Sequence, residues 1–93
     1  MAFDIRVITP EEVFFEGRSR SLIAPGYEGY LGVLTNHAPL LTPLTEGILT
    51  IRLEQGGDKQ FKIGGGFLEV NKNHVLVLVE RVAETTVAAT AAH

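Results

Sequence analysis

Short runs in which apolar and polar residues alternate, separated by turn-forming residues, fill most of the chain and restrict its fold more than any other feature. Phe3, Ile5 and Val7 alternate with Asp4 and Arg6, which is the period of a half-buried strand. Other strand-like runs lie at residues 13–15, 18–24, 48–53, 61–63, 67–70 and 74–79. Strand spacings of about 8–12 residues are typical of sandwiches and barrels. No run with the 3.6-residue helical period precedes residue 80, so the chain is predicted to be all-β.

Turn residues set the expected strand ends. Proline removes a ladder donor and glycine supplies unusual backbone angles, so both interrupt strands. The run at residues 74–79 is apolar almost throughout and is therefore expected in mid-sheet with both faces covered. The predicted breaks are residues 9–12, Gly17, residues 25–26, Pro43 with Gly47, residues 55–58, residues 64–66 and residues 71–73.

The length predicts one domain, since a single core typically serves roughly 50–200 residues. Of the 93 residues, 45% are hydrophobic and none is cysteine. Disulfides, thiolate zinc sites and cysteine nucleophiles are therefore excluded. We place the folded domain at residues 1–82. Residues 83–93, rich in alanine and threonine, are predicted to be a short C-terminal tail that is frayed or forms a short helix.

Charge and hydropathy argue against nucleic-acid and membrane-spanning classes. The net charge is −3 and the basic residues are scattered, with only Arg18 and Arg20 close together. Such a distribution does not track a phosphate backbone. No apolar run approaches the roughly 20 residues that span a bilayer, and the N-terminus lacks the features of a signal peptide. We therefore expect a cytoplasmic protein with no direct lipid insertion.

Residues 28–41 are unusually apolar for a connection between strands. The polar triplet at residues 35–37 separates two apolar pieces, and glycines stand at 29 and 32. Exposed loops are normally rich in small polar residues. The segment is therefore predicted either to fold into the core or to contact a partner.

Candidate catalytic and ligand-binding residues do not assemble into a site. The glycines at 64–66 lead into a strand rather than a helix, so a close approach of another backbone, or a bulge, is favoured over phosphate binding. His37 and His74 lack metal-ligand spacing. Adjacent Glu11 and Glu12 point apart and cannot act as an acid–base pair. For His37, two alternatives stay open: a backbone hydrogen bond that anchors the loop, or a partner contact.

Lys59 is the one residue that suggests a prosthetic group. It follows a predicted hairpin tip in a small β chain, which loosely resembles the modified lysine of lipoyl and biotinyl carrier domains. The quasi-symmetric repeat of those domains is missing. An exposed lysine that blunts a sheet edge is the competing interpretation.

Several motifs together resemble the epsilon subunit of the rotary F-type ATP synthase. They are Glu-Gly-Tyr-Leu-Gly-Val-Leu at residues 28–34, His-Ala-Pro-Leu-Leu at residues 37–41, Pro-Leu-Thr-Glu-Gly at residues 43–47 and Gly-Gly-Phe-Leu-Glu-Val at residues 65–70. The likeness covers residues 3–82 in collinear order. It implies a two-sheet β-sandwich of about ten short strands.

The resemblance also implies a function. In that family the domain is non-catalytic, lies at the foot of the central stalk, binds the gamma subunit and touches the c subunits of the membrane rotor ring. It thereby supports coupling of proton flow to ATP synthesis by the alpha and beta subunits, on the cytoplasmic side of a bacterial inner membrane or in an organelle. No cofactor or metal is implied. The residues assigned to gamma or rotor-ring binding are Glu28, Tyr30, Leu31, His37, Pro39, Leu40 and Thr42.

Two departures from the family pattern qualify this assignment. Most members carry two C-terminal helices, whose inhibitory and ATP-binding properties are not transferred to this chain; it is either naturally short or shortened. Tyr30 stands where members carry an acidic residue. An aromatic ring and a hydroxyl there would replace charge attraction to the rotor ring, with Glu28 retaining some charge.

Overall fold

The computed structural model describes residues 1–85, and every regular element in that range is a β-strand. The all-β prediction is confirmed. The strands are β1 (Phe3–Ile8), β2 (Val13–Gly26), β3 (Gly29–Leu34), β4 (Leu40–Leu53), β5 (Asp58–Asn71), β6 (His74–Val79) and β7 (Val82–Glu84).

The strands form two layers because β2, β4 and β5, each 14 residues long, take part in both. The first layer contains β3, the second half of β2, the second half of β4, the first half of β5 and β7. The second layer contains the first half of β2, then β1, β6, the second half of β5 and the start of β4. The result is a β-sandwich with barrel-like closure through the β1–β2 pairing.

The expectation of about ten short strands is wrong as a count, since the described residues form seven. The predicted breaks at Gly17, Pro43, Gly47 and residues 64–66 all lie inside strands. The β4–β5 register runs without a shift from Leu40 paired with Val70 to Arg52 paired with Asp58. These residues let a strand bend from one layer into the other while its hydrogen bonding continues.

The core lies between the two layers and draws on six of the strands. Phe61 is its central aromatic residue: its ring meets that of Phe14 edge-on at 5.4 Å and that of Phe15 at 5.5 Å. Ser19, fully buried, lies within hydrogen-bonding distance of the carbonyls of Ser21 and Arg52 at a register shift in β2. The fully buried apolar residues include Phe3, Ile5, Val7, Leu22, Val33, Leu49, Ile51, Ile63, Leu68 and Val77.

Strand β6 corrects a second expectation. It does lie in mid-sheet, parallel to β1 and antiparallel to β5. Only its inward side chains are covered, however: Val75, Val77 and Val79 are buried, whereas Leu78 is 45% exposed. Residues 1–85 supply no layer over the outer face of this strand.

The C-terminal boundary is described only in part. Val82–Glu84 pairs with β5 as β7, so strand pairing continues past residue 82. The tail predicted for residues 83–93 lies outside the described residues from position 86 onward.

Candidate protein-binding site

The segment at residues 28–41 forms β3, a turn and the start of β4. The backbone N–H of His37 donates to the carbonyl of Leu34 at 3.1 Å, which closes the turn. Asn36 has φ of 66°, in the left-handed region that asparagine tolerates better than most residues. Val33 is fully buried, but Leu34 on the same strand is 65% exposed. The segment is thus divided between core and surface. Each of the two alternatives predicted from the sequence accounts for only part of it.

A pair of asparagines attaches this turn to the β5–β6 turn. The Asn36 backbone N–H donates to the Asn73 side-chain oxygen at 2.7 Å, and the Asn73 amide donates to the Asn36 side-chain oxygen at 3.0 Å. The carbonyl of Asn73 also accepts a bond from the N–H of Asp4. Two turns and the start of β1 are therefore held together at one end of the sandwich.

The structure brings five of the seven predicted binding residues to one open cleft of about 520 Å³, which we call the first cleft. Its floor includes Leu31 and Leu40, which are partly buried against the core. Glu28 is exposed at its rim. Tyr30 and Thr42, which also belong to the predicted set, complete the five.

His37 and Pro39 do not line this cleft. The Nδ1 atom of His37 lies 2.6 Å from the carbonyl oxygen of Ala38, a distance that suits an N–H donor in the appropriate tautomer. The loop-anchoring alternative therefore has a hydrogen-bond partner. Pro39 is exposed in the same turn.

A second surface, which we call the apolar face, was not anticipated from the sequence. On the outside of the second layer, Phe67 is paired between Pro43 and Leu78. Phe67 is 52% exposed, and nearby Tyr27 is 77% exposed. With Pro10, these residues line a cleft of about 490 Å³. The apolar face is defined by Pro10, Tyr27, Pro43, Phe67 and Leu78.

The apolar face joins the first cleft without a break. Tyr27 and Pro43 line both clefts, and the Tyr27 N–H donates to the Pro43 carbonyl at 3.3 Å. The sequence signal for this surface was the apolar pattern on both sides of β6. Because no residue in the described range 1–85 covers one side of β6, that pattern indicates an interaction surface rather than a buried strand.

Carboxylates lie at two edges of the apolar face. Glu80 lines its cleft, which contains no lysine or arginine, and Glu11 and Glu12 are exposed directly after Pro10. In the neighbouring register row, Glu69 is exposed beside Leu41. A partner surface of complementary charge would carry basic residues around an apolar centre.

Other candidates are accounted for by local pairing. Lys59 lies in β5 opposite Ile51, not at the hairpin tip, and its Nζ is 3.1 Å from the Glu84 carboxylate. Asp4 contacts both Arg18 and His74. Its hydrogen bond raises the pKa of the Arg18 guanidinium, which stays charged. Among residues 1–85, no three His, Asp or Glu side chains are placed to hold a metal ion.

Residues 1–85 contain no helix that is long and apolar enough to cross a membrane.

Comparison with known proteins identifies close sequence relatives. The family model for the β-sandwich domain of the ATP synthase delta/epsilon chain matches residues 2–85. The ATP synthase epsilon chain of Moorella thermoacetica is 42% identical over 79 residues, which cover 85% of this chain and 59% of that protein. The epsilon chain of Chlorobaculum tepidum is 42% identical over 82 residues, which cover 88% of this chain and 93% of that protein. The chain thus spans little more than half the length of one relative and nearly all of another.

Two solved structures share the fold. A chain of the Euglena gracilis mitochondrial ATP synthase, in a structure of OSCP, F1 and the c-ring, aligns with a TM-score of 0.84 at 23% identity, covering 98% of this chain and 60% of that one. A chain of the Tetrahymena thermophila enzyme, from a structure of the central stalk and c-ring, aligns with a TM-score of 0.70 at 24% identity, covering 86% and 64%. At these identities the likeness concerns the fold alone.

Proposed function

The chain belongs to the ATP synthase delta/epsilon chain family, as its β-sandwich domain, and from that premise we propose that it is a non-catalytic subunit of the central stalk. In this role it links the gamma subunit to the c subunits of the rotor ring and contacts the alpha and beta subunits only through the complex. It supports coupling of proton flow to ATP synthesis from the cytoplasmic side of a bacterial inner membrane, or the equivalent side in an organelle. Relatives named as epsilon chains support this assignment.

The observation that carries the proposal is the apolar face. Phe67 and Leu78 stand about half exposed at the centre of a sheet whose opposite side is fully packed. Large exposed apolar patches on small soluble proteins commonly mark protein interfaces. Aromatic residues are also enriched at the energetic centres of such interfaces. We assign this face to the gamma subunit because it offers the larger apolar contact.

The neighbouring cleft suits a smaller, more polar contact. Glu28 at its rim provides a negative charge, while Thr42 provides a hydroxyl. We assign this cleft, with the exposed turn at Pro39, to the loops of the rotor ring. Because Tyr27 and Pro43 belong to both surfaces, one small domain would hold the two partners side by side.

The sandwich also suits transmission of torque. Its long strands β2, β4 and β5 cross from one layer to the other, so the layers cannot slide apart without breaking the continuous β4–β5 ladder. In the described residues, no buried side-chain nitrogen or oxygen lacks a hydrogen-bond partner. A satisfied, closely packed interior of this kind resists deformation.

We expect the 93-residue chain to capture purified gamma subunit in a pull-down, and to capture a gamma–c-ring assembly more strongly than gamma alone, because the second contact adds avidity. Affinity for gamma measured by surface plasmon resonance provides the quantitative check. Recovery of neither gamma nor the ring would rule out the stalk assignment.

His37→Ala is expected to reduce affinity for the gamma–ring assembly by about threefold to tenfold while changing the melting temperature by only a few degrees. The side-chain contact that it removes joins adjacent residues at the surface, and an exposed hydrogen bond of this kind contributes about 0.5 kcal/mol to the free energy of unfolding. Thermal melting and affinity should be compared on the same preparation. A large drop in melting temperature with unchanged affinity would show that this histidine serves only to anchor the turn.

A further inference from the structure

The hydroxyl of Tyr30 forms a hydrogen bond that crosses a whole strand. It accepts the backbone N–H of Ile48 on β4 at 3.0 Å, although Tyr30 belongs to β3 and the two strands are separated by β2. The residue of β2 directly opposite Tyr30 is Pro25. Proline has no N–H and its side chain is compact, so the tyrosine ring can extend past it towards β4.

This bond occurs where the β2–β4 ladder is interrupted. Ile23 pairs with Thr50 and Gly26 pairs with Leu44, so residues 45–49 of β4 have no partner on β2. These residues form the corner at which β4 passes from the second layer to the first. The Ile48 N–H at this corner has no partner on β2, although its hydrogen bond lies at an exposed position. The Tyr30 hydroxyl is the acceptor of that bond.

Gly47 provides the space that the hydroxyl needs. A Cβ atom at position 47 would lie 2.8 Å from the Tyr30 oxygen and 2.7 Å from the Cβ of Pro25. Both distances are shorter than real side-chain contacts allow. Any residue with a side chain at position 47 would therefore displace the Tyr30 hydroxyl from its place beside the Ile48 N–H.

We propose that Tyr30 is a positioning residue, which locks the corner of β4 to the β2–β3 hairpin. Its hydroxyl thereby adds a second hydrogen bond, beside the one between Tyr27 and Pro43, that fixes the two walls of the first cleft relative to each other. One wall is the turn at residues 27–28, which leads directly into β3. The other wall is residues 40–43, at the start of the same strand that contains Ile48. The hydroxyl acts within the domain. Contact with a partner involves the aromatic ring instead, since Tyr30 is 60% exposed.

Hydrogen exchange of the 93-residue chain with and without Tyr30→Phe tests this role, independently of any partner. This substitution removes only the hydroxyl oxygen and its hydrogen. The Ile48 amide is expected to exchange up to about tenfold faster, the factor that corresponds to losing one hydrogen bond. Tyr27→Phe is the matched control: it removes the same atom from a side chain that is 77% exposed, and it should leave Ile48 exchange unchanged.

The position of the cleft wall needs a separate measurement. The chain has two tyrosines, so in the Tyr30→Phe variant a fluorotyrosine label reports on Tyr27 alone. Its fluorine resonance is expected to move from the wild-type position or to broaden, because the wall is then held by the bond between Tyr27 and Pro43 without the support of the Tyr30 hydroxyl. Gly47→Ala should accelerate Ile48 exchange in the same way, by displacing the hydroxyl.

Unchanged Ile48 exchange in Tyr30→Phe would overturn the proposal. Faster exchange combined with an unchanged Tyr27 resonance would also overturn it, because the bond would then have only a local effect. Both readouts are obtained without the gamma subunit, so either failure is distinct from failure of the stalk assignment.

Discussion

Gly66→Ala is expected to remove much of the folding free energy of this chain and to lower its melting temperature by at least about 10 °C. A Cβ atom at position 66 would lie 2.0 Å from the Leu78 carbonyl oxygen and 2.8 Å from the Cα of Val79. These are backbone atoms of the adjacent strand β6 and cannot rotate away. Gly66 also has φ of 151°, which residues with a side chain rarely adopt.

The expected magnitude follows from two separate effects. Overpacking typically destabilises by about 1–3 kcal/mol, and a residue held in a sparsely populated backbone region by a further 1–3 kcal/mol or so. Small domains have only about 5–15 kcal/mol in total. For a domain of this size, each kcal/mol corresponds to roughly 4–8 °C in melting temperature.

Gly29→Ala separates the two effects. Gly29 has φ of 126°, but a Cβ atom there would meet no atom within 4 Å. Its substitution should therefore show the backbone effect without the steric one. Thermal melts of both variants give the comparison. Equal losses for the two would contradict the steric argument, since they would mean that β6 relaxes around the added methyl group.

The features predicted correctly from the sequence are those that depend on a pattern of a few consecutive residues. The alternation of Phe3, Ile5 and Val7 predicts β1 correctly, and all three side chains are buried. The glycines at 64–66 were expected to allow a bulge or a close backbone approach, and the contact of Gly66 with β6 confirms the second alternative. These features depend on a few neighbouring residues, which a sequence displays directly.

The count of strands was wrong because it depends on layers that are distant in sequence. Gly47 and Pro43 resemble strand breakers in isolation. Within the fold, β4 instead pairs with β5 continuously on one side while it changes its pairing with β2 on the other. Whether a glycine ends a strand or bends it depends on these neighbouring ladders.

The sequence grouped only part of the candidate surface, for a related reason. The candidate residues at positions 28–42 come from one stretch of sequence, and five of the seven line the first cleft. The apolar face combines Pro10, Tyr27, Pro43, Phe67 and Leu78 from five separate parts of the chain. No sequence window contains them together. Only the register of β4, β5 and β6 shows that Phe67 lies between Pro43 and Leu78.

The double variant Phe67→Thr with Leu78→Thr is expected to weaken binding of the gamma subunit at least about a hundredfold. Central aromatic and apolar side chains of an interface commonly contribute 2 kcal/mol or more each, and every 1.4 kcal/mol changes the affinity tenfold. Threonine has a high strand propensity, so the change removes apolar area without introducing a poor strand former. Affinity for gamma and the melting temperature should be measured in parallel.

Ile23→Thr provides the matched control on the opposite side of the molecule. Ile23 is 48% exposed, close to the values of 52% for Phe67 and 45% for Leu78, but it lies on the outside of the first layer, where it pairs with Gly32 and Thr50. The control should lose similar stability per side chain and retain full affinity for gamma. Equal loss of affinity in the control would mean that binding follows general stability rather than the apolar face. Full affinity in the double variant, with wild-type binding intact, would place the gamma contact elsewhere on the sandwich while leaving the stalk assignment in force.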